Sequence, residues 1–299
     1  MSAHERSTEA ANPATRDLDL LPVLEQARLM NAEDHRVPDA VAATLPAIAS
    51  AVTRIAEALG RGGRLLYVGA GTSGRIAALD AAECPPTFGT DPEMVQAVLA
   101  GGPRAMVESV EGAEDDAAAG AREIDVRGVS PADVVIGIAA SGETPFTVAA
   151  VRRARERGAW TAAVACNAGS TLEAACDLAI IPLVGPEVVA GSTRLKAGTA
   201  QKLVLNMLST LAMVQLGKVY GNLMVDLRAT NDKLRRRAAR MVAAAASANE
   251  EQADAALDRA GGRVPVAIVM LRLGLDAAAA AERLARAGGS LRRALGEAD

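Results

Sequence analysis

The stretch from Arg64 to Thr87, RLLYVGAGTSGRIAALDAAECPPT, constrains the fold more than any other part of the chain. It predicts a short apolar strand over Leu65–Val68, a glycine-rich turn from Gly69 to Arg75, and a helix over Ile76–Glu83. The Pro85-Pro86 pair is expected to stop that helix, leaving the Glu83 carboxylate where the chain turns. A strand feeding a Gly/Ser/Thr turn and then a helix start is an anion site, because free backbone N–H groups and the helix dipole face the same point. Thr72 and Ser73 add hydroxyl donors, and Gly74 lets the backbone come close. Gly69, Gly71 and Gly74 also read as G-x-G-x-x-G, the dinucleotide pattern. That pattern expects an acidic residue at the end of the next strand. The next candidate, Val95–Leu99, ends in Ala100-Gly101-Gly102. The Thr72-Ser73 pair therefore suits a phosphomonoester better, while a dinucleotide site or an ordinary strand-to-helix turn stay open for this loop taken alone.

Downstream, short apolar runs alternate with helical segments. The strands predicted are Leu65–Val68, Val95–Leu99, Val134–Ala139, Thr161–Ala165 and Leu178–Pro182. Between them helices are expected at Ala105–Val110, Asp115–Glu123, Pro145–Arg157 and Ser170–Ala175. The runs are continuously apolar, which indicates strands buried on both faces: an α/β fold built on a doubly wound, five-stranded parallel sheet. Before the sheet, Leu21–Asp34 and a long amphipathic helix over Asp39–Leu59, with Pro46 as a possible kink, complete an N-terminal helical arm. After it, Thr199–Leu216 is a long helix apolar on most sides, and 217–222 a turn. From Asn231 alanine and arginine dominate, and helices are expected at Leu234–Ala246, Asn249–Ala260, Val264–Leu273 and Asp276–Ala287, with a short one after Ser290. The division expected is thus 1–234 for the sheet domain and 235–299 for a small helical domain.

Several function classes are disfavoured. With 32 basic and 36 acidic residues the net charge is −4, so nothing favours nucleic acid or an acidic membrane. Lys233, Arg235, Arg236, Arg237 and Arg240 fall on one helix and read as a solvated face or as intersubunit salt bridges. Aromatic residues are too scarce for a base-stacking platform. His4 and His35 are the only histidines, and both precede the first strand, which argues against a histidine triad or a histidine metal site in the core. Cys84, Cys166 and Cys176 have no metal or disulfide spacing, and the polar start MSAHERSTEAANPATRDLDL lacks the apolar region of a leader, so a cytoplasmic setting is expected. No run approaches membrane-spanning length.

The first turn has a partner. Gly137-Ile138-Ala139-Ala140-Ser141-Gly142-Glu143-Thr144-Pro145 again runs strand, hydroxyl-rich turn, helix, with Pro145 well placed at the first helical position. Ser141, Gly142 and Thr144 are placed to cradle a phosphate. A third stretch from Glu187 to Thr199 could bring Glu187, Ser192 or Lys196 to the same site, or could equally be a surface loop with a helix cap. Two acidic positions remain for acid–base work: Glu83, and the run Glu111, Glu114, Asp115 and Asp116, of which the last three would also favour a helix N-terminus.

Long segments of the chain resemble the N-acetylmuramic acid 6-phosphate etherases of the sugar isomerase (SIS) fold group. They are TEAANPAT at 8–15, VGAGTSGR at 68–75, DAAECPPTFG at 80–89, VEGAEDD at 110–116, GIAASGETP at 137–145, GSTRLKAGTAQKLVLNMLST at 191–210 and GKVYGNLMVDLRATNDKL at 217–234. The resemblance implies cleavage of the lactyl ether of a phosphorylated amino sugar, with no metal or organic cofactor, by a homodimer. It also implies a C-terminal helical domain similar to a ubiquitin-associated (UBA) fold. The family's two catalytic glutamates fall on Glu83 and Glu114. Two rivals on the same fold are a sugar-phosphate isomerase and a non-catalytic sugar-phosphate sensor similar to glucokinase regulatory protein.

Overall fold

The computed structural model describes residues 7–226 and 232–297, with side chains omitted at 232 and 233. Residues 227–231 of the 217–234 motif, and the Lys233 side chain, therefore lie outside the described residues. The chain divides into two units, one comprising residues up to Ala81 and Glu93–Ser209, the other Ala82–Pro92 and the chain from Thr210.

In the first unit five parallel strands, β1 (Leu65–Gly69), β2 (Val95–Leu99), β3 (Val134–Ile138), β4 (Trp160–Val164) and β5 (Leu178–Ile180), lie in the order β2-β1-β3-β4-β5. β1 and β3 are buried at every position. Their apolar runs reflect a sheet covered on both faces. The order reverses direction between β1 and β3, which are paired in register from Leu65↔Val134 to Gly69↔Ile138. In a doubly wound sheet the ligand crevice opens beyond the carboxyl ends of the strands at such a point. Both hydroxyl-rich turns follow these two strands.

The helices of this unit are α1 (Val23–Asp34), α2 (Arg36–Ala42), α3 (Leu45–Gly60), α4 (Gly71–Phe88), α5 (Ala117–Val126), α6 (Pro145–Glu156), α7 (Thr171–Ala175) and α8 (Lys196–Gln215), the last continuing into the second unit, as α4 does. The single helix expected over Asp39–Leu59 is instead two. It breaks at Ala43-Thr44, and Pro46 takes the early position in α3 where its missing N–H costs nothing. The helix expected over Ala105–Val110 is one 3-10 turn, Pro103–Met106, because Gly101 and Gly102 both take positive φ and Pro103 starts a tighter turn. The Pro85-Pro86 pair does not end α4 at Glu83. The helix runs on to Phe88, which is buried, and Gly89 N–H still bonds to Pro85 O at 3.0 Å. Two prolines delete two donors, but they leave the later ladder bonds available and burial of Phe88 anchors the end.

Helices α5 and α6 pack in direct backbone contact. A Cβ at Gly120 would lie 2.1 Å from Phe146 O, so only glycine fits. The core beneath them includes Leu66, Val68, Val98, Ile124, Val135 and Phe146.

The second unit holds a short hairpin, β6 (Val219–Tyr220) and β7 (Leu223–Met224), where a plain turn is expected from sequence, and five helices: α9 (Asp232–Ala246), α10 (Glu250–Arg259), α11 (Val264–Leu273), α12 (Ala277–Arg286) and α13 (Leu291–Leu295). Their core includes Val242, Leu257, Ile268, Val269 and Leu291. Asn249 and Gln252 form a reciprocal capping box at α10, and Gly274 in the left-handed conformation closes α11. Arg235, Arg236, Arg237 and Arg240 are all exposed, Arg235 paired with Asp258. Among the described residues no single helix is long and apolar enough to cross a membrane.

Gly120→Ala tests the α5–α6 contact. Alanine favours helix, but the collision with Phe146 O outweighs that gain. The expected loss is about 2 kcal/mol by urea unfolding; an unchanged or higher midpoint refutes the tight contact.

Candidate active site

The first hydroxyl pair sits inside a helix rather than in a loop. β1 ends at Gly69 and α4 begins at Gly71, so Thr72, Ser73 and Gly74 occupy the first turn of α4. The residues of this first turn present the N–H groups that any helix leaves without internal partners. Gly74 N–H folds back to Ala70 O at 3.2 Å. A Cβ at Gly74 would lie 2.3 Å from Leu99 Cδ1 and 2.7 Å from Gly69 O, so the strand-to-helix corner closes only with glycine there. Ser73 is buried and its Oγ donates to Gln201 Oε1 of α8 at 2.9 Å.

The second turn is locked by its neighbours. Gly142 takes φ +74°, and a Cβ there would lie 2.3 Å from Ser170 Oγ. Ser141 Oγ accepts from Glu143 N–H at 3.2 Å, and Thr144 stands half-buried at the N-cap of α6 without using its hydroxyl as a cap. The Glu143 carboxylate accepts from the N–H and hydroxyl of Thr171. Asn167, in the turn after β4, joins three segments. Its Nδ2 donates to Thr8 Oγ1 at 2.8 Å and to the carbonyls of Ala140 and Ser141, while its Oδ1 accepts from Ser7 Oγ.

Glu114 is exposed and lines a cavity of about 140 Å³ together with Ala70, Gly71, Arg75, Ala100 and Glu111. Its carbonyl accepts from Phe146 N–H at 3.0 Å, which ties it to the start of α6. Arg75, also on its lining, donates to Ala105 O at 2.8 Å and Glu108 O at 2.9 Å. The structure thus brings Glu114, the first turn of α4 and the start of α6 to one end of the sheet. Of the acidic run, Asp116 caps α5 through Ala119 N–H at 2.7 Å. Glu83 is exposed on α4, in the second unit.

The third stretch is engaged within the protein. The buried Glu187 carboxylate accepts from the N–H groups of Lys196 and Ala197 at 3.0 and 2.9 Å and so caps α8. Lys196 Nζ, also fully buried, pairs with Glu33 of α1 at 2.5 Å. Ser192 is half-buried, its N–H bonded to Val189 O. Burial opposes ionisation of Glu33, but the hydrogen bond and charge of Lys196, with Arg36, outweigh it and hold the carboxyl below its usual range.

Asp80 behaves oppositely. Burial pushes it up to about 6, against hydrogen bonds from Ser209 and Tyr67 and the charge of Lys202. Ser209 Oγ donates at 3.1 Å, and the Asn206 amide, with its nitrogen turned toward Asp80, donates at 3.3 Å. Cys166 is pushed up to about 12 by burial, with Glu187 adding to the shift, and so stays a thiol. Among the described residues no three His, Cys, Asp or Glu side chains gather closely enough to hold a metal ion.

Thr8, Asp80, Asn167 and Gln201 were not singled out by sequence. Thr8, Asp80 and Gln201 lie within the segments that carry the family resemblance, and Asn167 lies in Cys166-Asn167-Ala168-Gly169-Ser170, which repeats the polar, glycine-bearing turn after a strand.

A doubly wound sheet with paired hydroxyl turns beyond neighbouring strands defines the SIS class of α/β domain. The family model of the glucokinase regulatory protein N-terminal SIS domain matches residues 47–155, and that of the SIS domain matches 117–211. A solved structure of a candidate phosphosugar isomerase from Bacteroides fragilis shares the fold, with a TM-score of 0.50 at 20% identity over 67% of this chain and 95% of that one. An N-acetylmuramic acid 6-phosphate etherase from Cutibacterium acnes is 56% identical over 97% of this chain and 96% of its own. Those from Rubrobacter xylanophilus and Streptomyces avermitilis are 56% and 54% identical over 98% of this chain, and 97% and 94% of their own. The chain belongs to the N-acetylmuramic acid 6-phosphate etherase family.

The Asp80 cluster makes a pH prediction. An acid whose folded pKa is raised above its unfolded value contributes most stability below that unfolded value, and loses it as pH rises through about 6. Asp80→Asn should therefore match the wild type near pH 4 and exceed it by roughly 2 kcal/mol at pH 7. Parallel stability curves for the two proteins between these pH values would remove the claim of a costly buried charge.

Proposed function

We propose that this chain is a carbon–oxygen lyase of cell-wall amino-sugar recycling. It cleaves the lactyl ether of N-acetylmuramic acid 6-phosphate to N-acetylglucosamine 6-phosphate and D-lactate. The observation that carries this reading is the near full-length identity to etherases, joined to a cavity in which Glu114 faces the first turn of α4.

The chemistry suits carboxylates. An ether at C3 resists direct displacement at neutral pH. Opening the sugar to its aldehyde acidifies the C2 proton, which Glu114 removes as base. The C2–H electron pair forms the C2=C3 bond, the C3–O bond breaks, and Glu83 as acid protonates the departing lactate oxygen. Glu83, now a carboxylate, takes a proton from water as its oxygen adds to C3, and Glu114 returns the proton to C2. One water is consumed and no electrons leave the substrate.

In this reading Thr72, Ser73 and Gly74, with Ser141, Gly142 and Thr144, hold the phosphate. Their placement beyond β1 and β3, at the reversal of strand order, supports that role. The phosphate is remote from C2 and C3, so its binding energy serves orientation. Glu187 and Lys196 contribute by fixing the start of α8, and Ser192 by shaping the stretch before it. The reading further takes residues 1–234 as the catalytic domain, 235–299 as a UBA-like accessory domain, and the working form as a cytoplasmic homodimer. The match to a regulatory SIS domain over 47–155 keeps a non-catalytic sensor as the alternative.

Two substitutions separate the roles. Glu83→Gln should lower lactate release at least a hundredfold while leaving C2 proton exchange measurable in deuterated water. Glu114→Gln should abolish both. The converse pattern reverses the assignment, and binding of sugar phosphate without lactate release by the wild type supports the sensor instead.

A further inference from the structure

Gln201 is 1% exposed, and its Nε2 is buried without a hydrogen-bond partner among the described residues. Its Oε1 takes the only proton Ser73 has to give, at 2.9 Å. Phosphate oxygens only accept, so a Ser73 oriented this way has nothing to offer a phosphate. Rotating the amide by half a turn reverses the arrangement. Nε2 then donates to Ser73 Oγ, and the hydroxyl proton is released toward the anion. The orientation found leaves one buried amide atom unmatched, so the protein by itself does not fully satisfy it. The first turns of α4 and α8 are in contact here: a Cβ at Gly198 would lie 3.4 Å from Thr72 Cγ2 and 3.7 Å from Ile76 Cδ1. Gln201 follows Gly198 by three residues and so sits on the same face of α8.

We propose that Gln201 is a positioning residue for phosphate binding, which turns its amide to donate to Ser73 and so directs the Ser73 hydroxyl proton onto the phosphate of the substrate. The inference rests on the reading of Ser73 as a phosphate ligand. Gln201 itself touches no reacting atom, and its effect passes through Ser73 to affinity rather than to the rate of the chemical step.

Calorimetric titration of the full chain with N-acetylglucosamine 6-phosphate, alongside the KM and kcat of lactate release, tests this. The proteins are wild type, Ser73→Ala, Gln201→Glu, Gln201→Met and the Ser73→Ala/Gln201→Glu double variant. The Gln201→Glu carboxylate only accepts, so it holds the Ser73 proton away from the ligand. Affinity should fall at least tenfold and KM rise equally, with kcat within threefold. In the Ser73→Ala background the same change should cost at most half as many fold, because the path through Ser73 is gone; whatever remains is charge repulsion. Gln201→Met takes away the donor that turns the Ser73 proton toward the ligand without adding an acceptor, so affinity should fall by threefold to tenfold, less than in Gln201→Glu, with kcat within threefold. That arm decides the matter if Gln201→Glu does not fold. Equal fold losses for Gln201→Glu in both backgrounds, or wild-type affinity in folded Gln201→Met, overturn the inference while Ser73 stays a ligand. A wild type that does not bind, or a Ser73→Ala variant that binds as well as wild type, overturns the phosphate-cradle reading and the inference with it.

Discussion

The approach of Gly74 to Gly69 is the contact on which the site depends. With 2.7 Å between a notional Cβ and the Gly69 carbonyl oxygen, the corner between β1 and α4 has no room for a side chain. Closing that corner points the first turn of α4 over the carboxyl end of β1, and its unpaired N–H groups over the crevice. The same device recurs at Gly142, wedged against Ser170 after β3. Since β1 and β3 are neighbours at the reversal of strand order, the two hydroxyl-rich turns are brought to the same end of the sheet by its topology.

A ring of buried polar contacts supports these turns. Asn167 ties the segment at Ser7-Thr8 to the carbonyls of the second turn, and Ser73 is tied to α8 through Gln201. Glu187 caps α8, and Lys196 one residue into that helix is held by Glu33. Burying that ion pair is costly in desolvation, and the cost is offset by pairing the two charges directly. It connects α1 to the start of α8, the helix that carries Gln201.

Much of the fold was legible in the chain. Five apolar runs without alternation announced a sheet covered on both faces, and all five became parallel strands within a residue or two of the expected ends. The C-terminal helices were legible for a related reason: caps such as Asn249, Asp276 and Ser290, and breaks such as Gly274, act locally. Local rules failed where packing outbid them. Burial of Phe88 carried α4 through two prolines, and two adjacent glycines reduced an expected helix after β2 to a single 3-10 turn.

From its residues alone the chain determined the class of sheet, the two hydroxyl turns and where its acidic side chains fall along them, because strand burial, helix starts and side-chain chemistry are written within a few residues of one another. Only the tertiary structure decided which groups those turns lean on. Gln201 lies 128 positions from Ser73, and Asn167 lies 159 from Thr8. It likewise decided that Glu114, rather than Asp116, shares a cavity with α4, and that Glu187 and Lys196 serve the start of a helix. Such pairings are settled by topology and by the need to satisfy every buried polar group, and neither leaves a periodic trace in sequence.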